Sequence, residues 1–234
     1  MIDEGATHIG VATDHVIESF RNELWPGYKT GAGIERALRA QFQPLEDALV
    51  AMGVVVWPMV ELEADDALAS AAHLAAADPK VLKVCIWTPD KDLAQCVVED
   101  RVVQIDRRAK VIRDEVAVRK KFGVSPALIP DYLALVGDSA DGYPGIKGIG
   151  KTGAAQLLNR YGPIEAFPEK LLQGQREHAL LFKRLATLRT DAKLFKKIDQ
   201  LRWRGPTSTF AALTEKVGEK RLLERAKAAA AKLS

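Results

Sequence analysis

Short apolar runs that alternate with helix-forming stretches constrain the fold of this chain more than any other feature. The runs cover residues 8–13, 54–57 and 84–87, and Pro58 is expected to stop the second. Apolar residues at helical spacing near 35–52 and an alanine-rich stretch at 64–77 predict helices between them. Buried strands separated by helices are typical of a parallel sheet. The sequence therefore predicts an α/β core.

The second half of the chain has a different pattern. Residues 101–106 and 109–112 predict a hairpin that closes the core across Arg107 and Arg108, and from about residue 114 the pattern is helical. The basic, alanine-rich stretch at 216–232 predicts one terminal helix. We therefore expect an α/β core over 1–113, followed by an all-α region over 114–234.

Charge is distributed unevenly along the chain. Residues 1–100 hold 7 Lys and Arg against 17 Asp and Glu (net −10), and residues 101–234 hold 27 against 14 (net +13). A basic half favours a polyanionic partner because Lys and Arg neutralise phosphates, although a solvated basic surface has the same composition. The acidic half does not suit simple DNA binding, and metal ligation is a natural reason for it.

Composition excludes several classes of protein. Hydrophobic residues make up 47% of the chain, which is enough for a core, and no apolar run is long enough to span a bilayer. The first residues lack the basic flank and apolar segment of a signal peptide. Two cysteines make neither a zinc site nor a disulfide framework, so Cys85 and Cys96 are predicted to be buried thiols. These features fit a cytosolic protein.

Acidic residues recur where the predicted strands end. They are Asp14, then Glu63, Asp65 and Asp66, then Asp90 and Asp92, and finally Asp138 and Asp141 in a turn-rich loop. The first three groups should meet at the carboxyl edge of a parallel sheet, where ligands bind. Carboxylates in one place repel one another, and divalent cations such as Mg²⁺ or Mn²⁺ resolve the conflict. Each group alone is more often a helix cap or a turn, but all four in this order predict a metal centre.

A glycine-rich segment near the middle of the chain allows two interpretations. Gly145–Thr152 satisfies the G-x-x-x-x-G-K-[ST] pattern of an ATP-binding P-loop. A P-loop follows a buried strand, whereas here a turn and a predicted helix at 131–136 precede it. We favour a helix, a glycine hairpin and a second helix over about 131–162, in which backbone N–H groups hold a DNA phosphate. A purely structural glycine turn remains the third reading.

Several motifs together resemble one protein family. They are Glu63-Ala64-Asp65-Asp66, Thr88-Pro89-Asp90-Lys91-Asp92-Leu93, and the segment Gly137–Gly150, with weaker matches at Ser19-Phe20-Arg21 and Pro26-Gly27-Tyr28-Lys29. The chain closely resembles the 5′-3′ exonuclease domain of bacterial DNA polymerase I, and more distantly phage 5′-nucleases and flap endonucleases. The resemblance runs from about Thr7 to Leu201, and nothing after it resembles a polymerase.

The resemblance implies a PIN-like nuclease core and a helix–three-turn–helix DNA-binding region. It implies two groups of ligands for two divalent ions, Mg²⁺ or Mn²⁺: Glu63, Asp65, Asp66 and Asp90 in one, and Asp92, Asp138 and Asp141 in the other. Lys29 resembles the lysine that contacts the scissile phosphate, Asp14 a supporting acid, and Arg21 is assigned to the same catalytic group. Gly145, Lys147, Gly148, Gly150, Lys151 and Thr152 resemble the hairpin that binds duplex DNA, often with a monovalent cation.

The implied activity is metal-dependent cleavage of DNA at 5′ ends, flaps and branched duplexes. One departure is that the family opens with a strand ending in a metal-binding Asp, followed by a helix, and this chain starts at a position that matches the region before the second strand. We therefore expect the first strand and one ligand to be missing, in a fragment or through a misassigned start. Two alternatives follow: a binding module of the same fold that does not cut, and an ATP-binding protein that uses Gly145–Thr152.

Overall fold

The computed structural model describes residues 1–172 and 174–233. The strands are β1 Gly10–Asp14, β2 Val55–Met59, β3 Val84–Trp87, β4 Val102–Asp106 and β5 Val111–Arg113. The α-helices are α1 Phe20–Leu24, α2 Arg36–Arg39, α3 Phe42–Ala51, α4 Ala64–Ala77, α5 Glu115–Phe122, α6 Ile129–Val136, α7 Lys151–Tyr161, α8 Arg176–Ala186, α9 Thr209–Lys216 and α10 Lys220–Ala231. Short 3₁₀ helices lie at Ile2–Glu4, Asp92–Cys96, Pro126–Leu128, Ile164–Ala166, Glu169–Leu172 and Ile198–Leu201.

These elements form two compact units, each built from separated stretches of chain. The first unit comprises Met1–Ile17, Gly31–Ala64 and Lys193–Ser234, and the second comprises Glu18–Thr30 and Asp65–Ala192.

The first unit is centred on the parallel pair β1–β2. Gly10 pairs with Val55 and Asp14 with Met59, and α3 packs beside β2. Helices α9 and α10 pack together, and their apolar faces join buried residues such as Trp203 and Phe210. The indole N–H of Trp203 donates to the carbonyl of Met52 at 2.9 Å, which ties the C-terminal segment to the end of α3.

The second unit contains a three-stranded sheet and most of the helices. Strand β3 pairs in parallel with β4, and β4 pairs antiparallel with β5. Helix α6 is almost wholly buried and packs against both α7 and α8, with Leu133 and Leu135 in the main core. Pro130 lies in the first turn of α6, where its missing N–H is tolerated, and Gly137 ends the helix.

The strands depart from the predictions in two respects. The sequence predicts one parallel sheet, whereas residues 1–172 and 174–233 form two sheets, each with one parallel pair. Pro58 does not stop β2; it lies inside the strand, opposite Thr13. Within the described residues β2 is hydrogen-bonded to a strand on one side only, and such an edge tolerates a residue that has no N–H.

One predicted helix is broken in the structure, and another begins later than predicted. The stretch at 35–52 forms α2 and α3, because Pro44 has no N–H to donate to the carbonyl of Ala40 and is accommodated in the first turn of a new helix. The basic tail predicted at 216–232 forms one helix, α10, which begins at Lys220; Gly218, whose φ of 76° is strained for other residues, separates it from α9.

One cysteine prediction is wrong. Cys85 is exposed, because alternate residues of the short strand β3 face opposite ways and Cys85 lies on the face opposite the buried Ile86. Cys96 is half-buried, and its burial raises its pKa to about 12, so its thiol stays protonated. Among the described residues, no helix has both the length and the apolar character required to cross a membrane.

Candidate metal centre

Three aspartates of the second unit come together in the structure. Asp92, Asp138 and Asp141 each offer one carboxylate oxygen, and these oxygens lie within 4.8 Å of one another. Asp92 begins the 3₁₀ helix that follows β3, and the other two lie in the turn after α6. Asp138 and Tyr143 exchange two backbone hydrogen bonds of 2.9 and 3.0 Å, which close this turn. The fold therefore brings Asp92 to two acids that are distant from it in sequence.

The electrostatics of this cluster fit a hard divalent cation. Burial, followed by the charges of Asp90 and Asp141, raises the pKa of Asp92 well above its ordinary value. Within the described part of the chain, Oδ1 of Asp92 is buried and accepts no hydrogen bond. Carboxylate oxygens are the ligands that Mg²⁺ and Mn²⁺ prefer, and a bound cation would compensate the repulsion.

Two lysines accompany the cluster. Lys91 forms an ion pair with Oδ2 of Asp138, and the ammonium of Lys29 lies 3.4 Å from Oδ1 of Asp141. Burial lowers the pKa of Lys91, but its hydrogen bond to Asp138 and the charges of the neighbouring aspartates outweigh that effect and raise it. Sequence reasoning gave Lys91 no role, although its position between two predicted ligands in Asp90-Lys91-Asp92 was a usable signal.

Backbone contacts fix Lys29 beside the cluster. Its N–H donates to the carbonyl of Asp141 at 3.1 Å, and the indole N–H of Trp25 donates to the carbonyl of Gly142 at 3.0 Å. Gly142 has a φ of 81°, and a Cβ there would collide with the carbonyl of Gly27. The two glycines thus allow the segment with Lys29 and the turn with Asp141 to pack together.

Arg21 and Asp66 are bonded to each other. Two guanidinium N–H groups of Arg21 donate to the two carboxylate oxygens of Asp66, each at 2.7 Å, and both side chains are fully buried. Arg21 also donates to the carbonyls of Leu185 and Thr187. This geometry favours a structural role for both residues. Their assigned roles, in catalysis for Arg21 and in metal binding for Asp66, remain predictions.

The other predicted acids lie near the starts of helices and loops. Asp14 ends β1, and its Oδ1 accepts from the N–H of Ala64 at 2.6 Å, which caps α4. Glu63 is buried immediately before α4, and Asp65 is half-buried in its first turn. Asp90 is exposed, and its Oδ1 accepts from the N–H of Asp92 at 3.1 Å.

The glycine hairpin joins α6 to α7. The N–H of Ile146 donates to the carbonyl of Leu135 at 2.8 Å, and its buried side chain anchors the hairpin. Gly145 has a φ of 72°, and a Cβ there would collide with the backbone at Gly137. The predicted DNA-binding residues on the hairpin are mostly exposed: Lys147, Gly148, Gly150, Lys151 and Thr152, with Gly145 half-buried.

The structural context of the hairpin differs from that of a P-loop. The element before Gly145–Thr152 is helix α6 followed by a turn, where a P-loop requires a buried strand. The arrangement is helix, glycine hairpin, helix, as the sequence predicted.

Comparison with known proteins assigns the chain to a family. A family model described as "5'-3' exonuclease, N-terminal resolvase-like domain" matches residues 1–123, and "5'-3' exonuclease, C-terminal SAM fold" matches residues 124–209. The chain belongs to the 5′-3′ exonuclease family. It is 35% identical over 203 residues to flap endonuclease Xni of Edwardsiella ictaluri, covering 82% of this chain and 79% of that protein.

Longer relatives and a solved structure agree with this assignment. DNA polymerase I of Pseudomonas aeruginosa is 34% identical over 202 residues, covering 78% of this chain and 22% of the polymerase. The chain thus spans about a quarter or less of the length of such polymerases. The phage T5 5′-exonuclease, solved with divalent metal ions (zinc) bound, superposes with a TM-score of 0.67 at 21% identity, covering 80% of this chain and 77% of that one. The PIN-like core followed by a helical domain is therefore the fold of this 5′-3′ exonuclease family member.

Proposed function

We propose that this chain is a metal-dependent 5′-nuclease that hydrolyses phosphodiester bonds in DNA at 5′ ends and flaps. The observation that carries the proposal is the convergence of Asp92, Asp138 and Asp141 in a chain of the 5′-3′ exonuclease family. Relatives named flap endonuclease and 5′-3′ exonuclease, which are similar in length to this chain, support the same activity.

The assignment of ligands follows the sequence. Asp92, Asp138 and Asp141 hold one divalent ion, and Glu63, Asp65 and Asp90 contribute to a second, with Asp14 as a supporting acid. Asp66 is assigned to the second group as well, although Arg21 occupies both of its carboxylate oxygens here. Two Mg²⁺ or Mn²⁺ ions, when bound, stabilise the attacking and leaving oxygens of phosphodiester hydrolysis.

The protein's own groups orient the DNA. Lys29, held by its backbone at Asp141, offers an ammonium to the scissile phosphate. Lys147 and Lys151 project from the anchored hairpin and bind duplex phosphates through charge, and N–H groups at the start of α7 add to this site. A monovalent cation at the hairpin is part of the proposal. We infer a nuclease core over 1–113 and a DNA-binding region over 114–234.

A second candidate function is a branched-DNA-binding module that does not cut. The observation that favours it is the Arg21–Asp66 pair, which removes one predicted carboxylate from the second group of ligands. Such a protein keeps the exposed lysines of the hairpin and the proposed affinity for DNA.

Cleavage of a 5′-flap substrate in Mg²⁺, with EDTA as the control, separates the two candidates. We expect wild-type protein to cleave, and Asp138→Asn and Asp141→Asn to lose cleavage by at least about 100-fold while binding the flap as wild type does. The matched control is Asp199→Asn, an exposed acid of the first unit. Wild-type turnover in either cluster variant would refute the assigned ligands, and binding without any cleavage by wild-type protein would favour the second candidate.

A further inference from the structure

The loop that delivers Asp92 to the cluster carries no regular secondary structure of its own. It leaves β3 at Trp87 and runs to the 3₁₀ helix that starts at Asp92. Two of its N–H groups are bonded to side chains of the loop itself: that of Asp90 to Oγ1 of Thr88, and that of Asp92 to Oδ1 of Asp90, each at 3.1 Å. Its carbonyl groups need partners from elsewhere, because backbone oxygens inside a fold are seldom left unbonded.

Gln104 bonds two of these carbonyls. It is completely buried in the middle of β4, and its Nε2 donates to the carbonyl of Thr88 at 3.1 Å and to the carbonyl of Asp90. Only the amide nitrogen can make these bonds, since both partners are acceptors. Its Oε1 is buried and has no hydrogen-bond partner among the described residues.

A second glutamine, Gln95, donates to the carbonyl of Asp92. Nε2 of Gln95 donates to the carbonyl of Asp92 at 2.9 Å and to that of Ala186 at 3.0 Å. Its Oε1 accepts from the N–H of Leu188 at 3.0 Å. The carbonyls of Thr88, Asp90 and Asp92 therefore all accept from glutamine side chains, one anchored in β4 and the other at the end of α8.

We propose that Gln104 and Gln95 are positioning residues for the metal centre. They fix the backbone of Asp90-Lys91-Asp92 so that the Asp92 carboxylate is held near Asp138 and Asp141 before a cation binds. This inference rests on the proposed function of the same cluster.

The chemistry of Gln104 argues for such a role beyond packing. An apolar side chain in a buried strand position avoids the cost of an unpaired amide oxygen, which Gln104 bears. The compensating interactions are the two hydrogen bonds that Gln104 donates, and both go to the loop. Groups that orient metal ligands from behind typically change metal affinity or activity by about 10- to 100-fold when they are removed.

The test is Mn²⁺ binding to the protein alone, measured by the electron paramagnetic resonance of free Mn²⁺. Gln104→Met keeps the volume of the side chain and removes its donors, and Gln95→Met does the same at the second anchor. We expect each to weaken Mn²⁺ binding by roughly 10-fold. Gln200→Met, at an exposed glutamine of the first unit, and Val118→Ala, a core truncation in α5, should bind Mn²⁺ as wild type does.

Flap cleavage supplies a second measurement. Loss of a purely structural contact would not make kcat depend on the Mn²⁺ concentration. We expect kcat of the Gln104→Met protein to fall at limiting Mn²⁺ and to recover as Mn²⁺ is raised, with KM for the flap unchanged. If Gln104→Met fails to fold, Gln95→Met and Gln104→Asn replace it in both measurements. Gln104→Asn keeps a shorter amide and should lose less Mn²⁺ affinity than Gln95→Met.

Wild-type Mn²⁺ affinity in the folded glutamine variants would overturn the inference. Wild-type protein that binds Mn²⁺ but cleaves no flap would overturn the proposed function, and the affinity comparison would still decide the inference. Wild-type protein that binds no Mn²⁺ would overturn both.

Discussion

The buried Arg21–Asp66 pair makes a sharp prediction about stability. In Arg21→Met the Asp66 carboxylate, which has no exposed surface, loses its counter-ion and both guanidinium hydrogen bonds of 2.7 Å. The carbonyls of Leu185 and Thr187 lose their donors as well. Breaking a buried pair by removing one partner costs about 3–5 kcal/mol, because a charge is left buried without compensation. The N–H of Arg189 also donates to Oδ1 of Asp66, at 2.9 Å, and this bond remains in the variant.

The measurement is the free energy of unfolding in urea, in EDTA, followed by circular dichroism. We expect Arg21→Met to lose about 3–5 kcal/mol and the double variant Arg21→Met/Asp66→Leu to lose less than Arg21→Met alone, since an apolar pair leaves no buried charge. The matched control is Arg189→Met, which breaks an exposed pair with Asp191 on the same segment and should leave stability unchanged. A loss below about 1 kcal/mol in Arg21→Met, or additive losses in the double variant, would refute this reasoning.

Two further predictions concern DNA binding and pH. Lys147→Ala and Lys151→Ala should weaken DNA binding whatever the base sequence. The slope of the log binding constant against log salt concentration should become shallower by roughly one per lost phosphate contact. An unchanged slope would mean that these lysines do not touch the DNA phosphates. Burial and then the charges of Asp90 and Asp141 raise the pKa of Asp92. The folded protein therefore holds this proton more tightly than the unfolded chain. The resulting stability is fully present below about pH 4, the ordinary pKa of an aspartate, and is lost as the pH rises through the raised pKa. In EDTA the melting temperature of wild type should therefore fall above about pH 4 relative to Asp92→Asn, and parallel pH profiles of the two proteins would contradict this.

The sequence predicted the local elements of the fold well where one local effect dominates. Alanine content alone placed α4 at Ala64–Ala77, and a short apolar run placed β3 at Val84–Trp87. It failed where the outcome depends on neighbours. Whether Pro58 ends a strand depends on which side of β2 is hydrogen-bonded, and that is a property of the sheet. The break before α3, by contrast, has a local cause, because Pro44 cannot donate a hydrogen bond inside a helix.

For the candidate site, residue types were predictable and partners were not. The family resemblance implied that Asp92, Asp138 and Asp141 form one group, and the turn after α6 brings these three acids together. No pattern in the sequence indicated that Arg21 would bond Asp66, 45 residues away. A polar residue in the apolar run Val102-Val103-Gln104-Ile105 was a signal for a buried amide, but its partners follow from the pairing of β3 with β4.

The net charge of the side chains around the cluster indicates how many divalent ions it can neutralise. Asp90, Asp92, Asp138 and Asp141 bring four negative charges when ionised, and Lys29 and Lys91 bring two positive charges, which leaves −2. One divalent ion neutralises that surplus, and a second at the same place would reverse it.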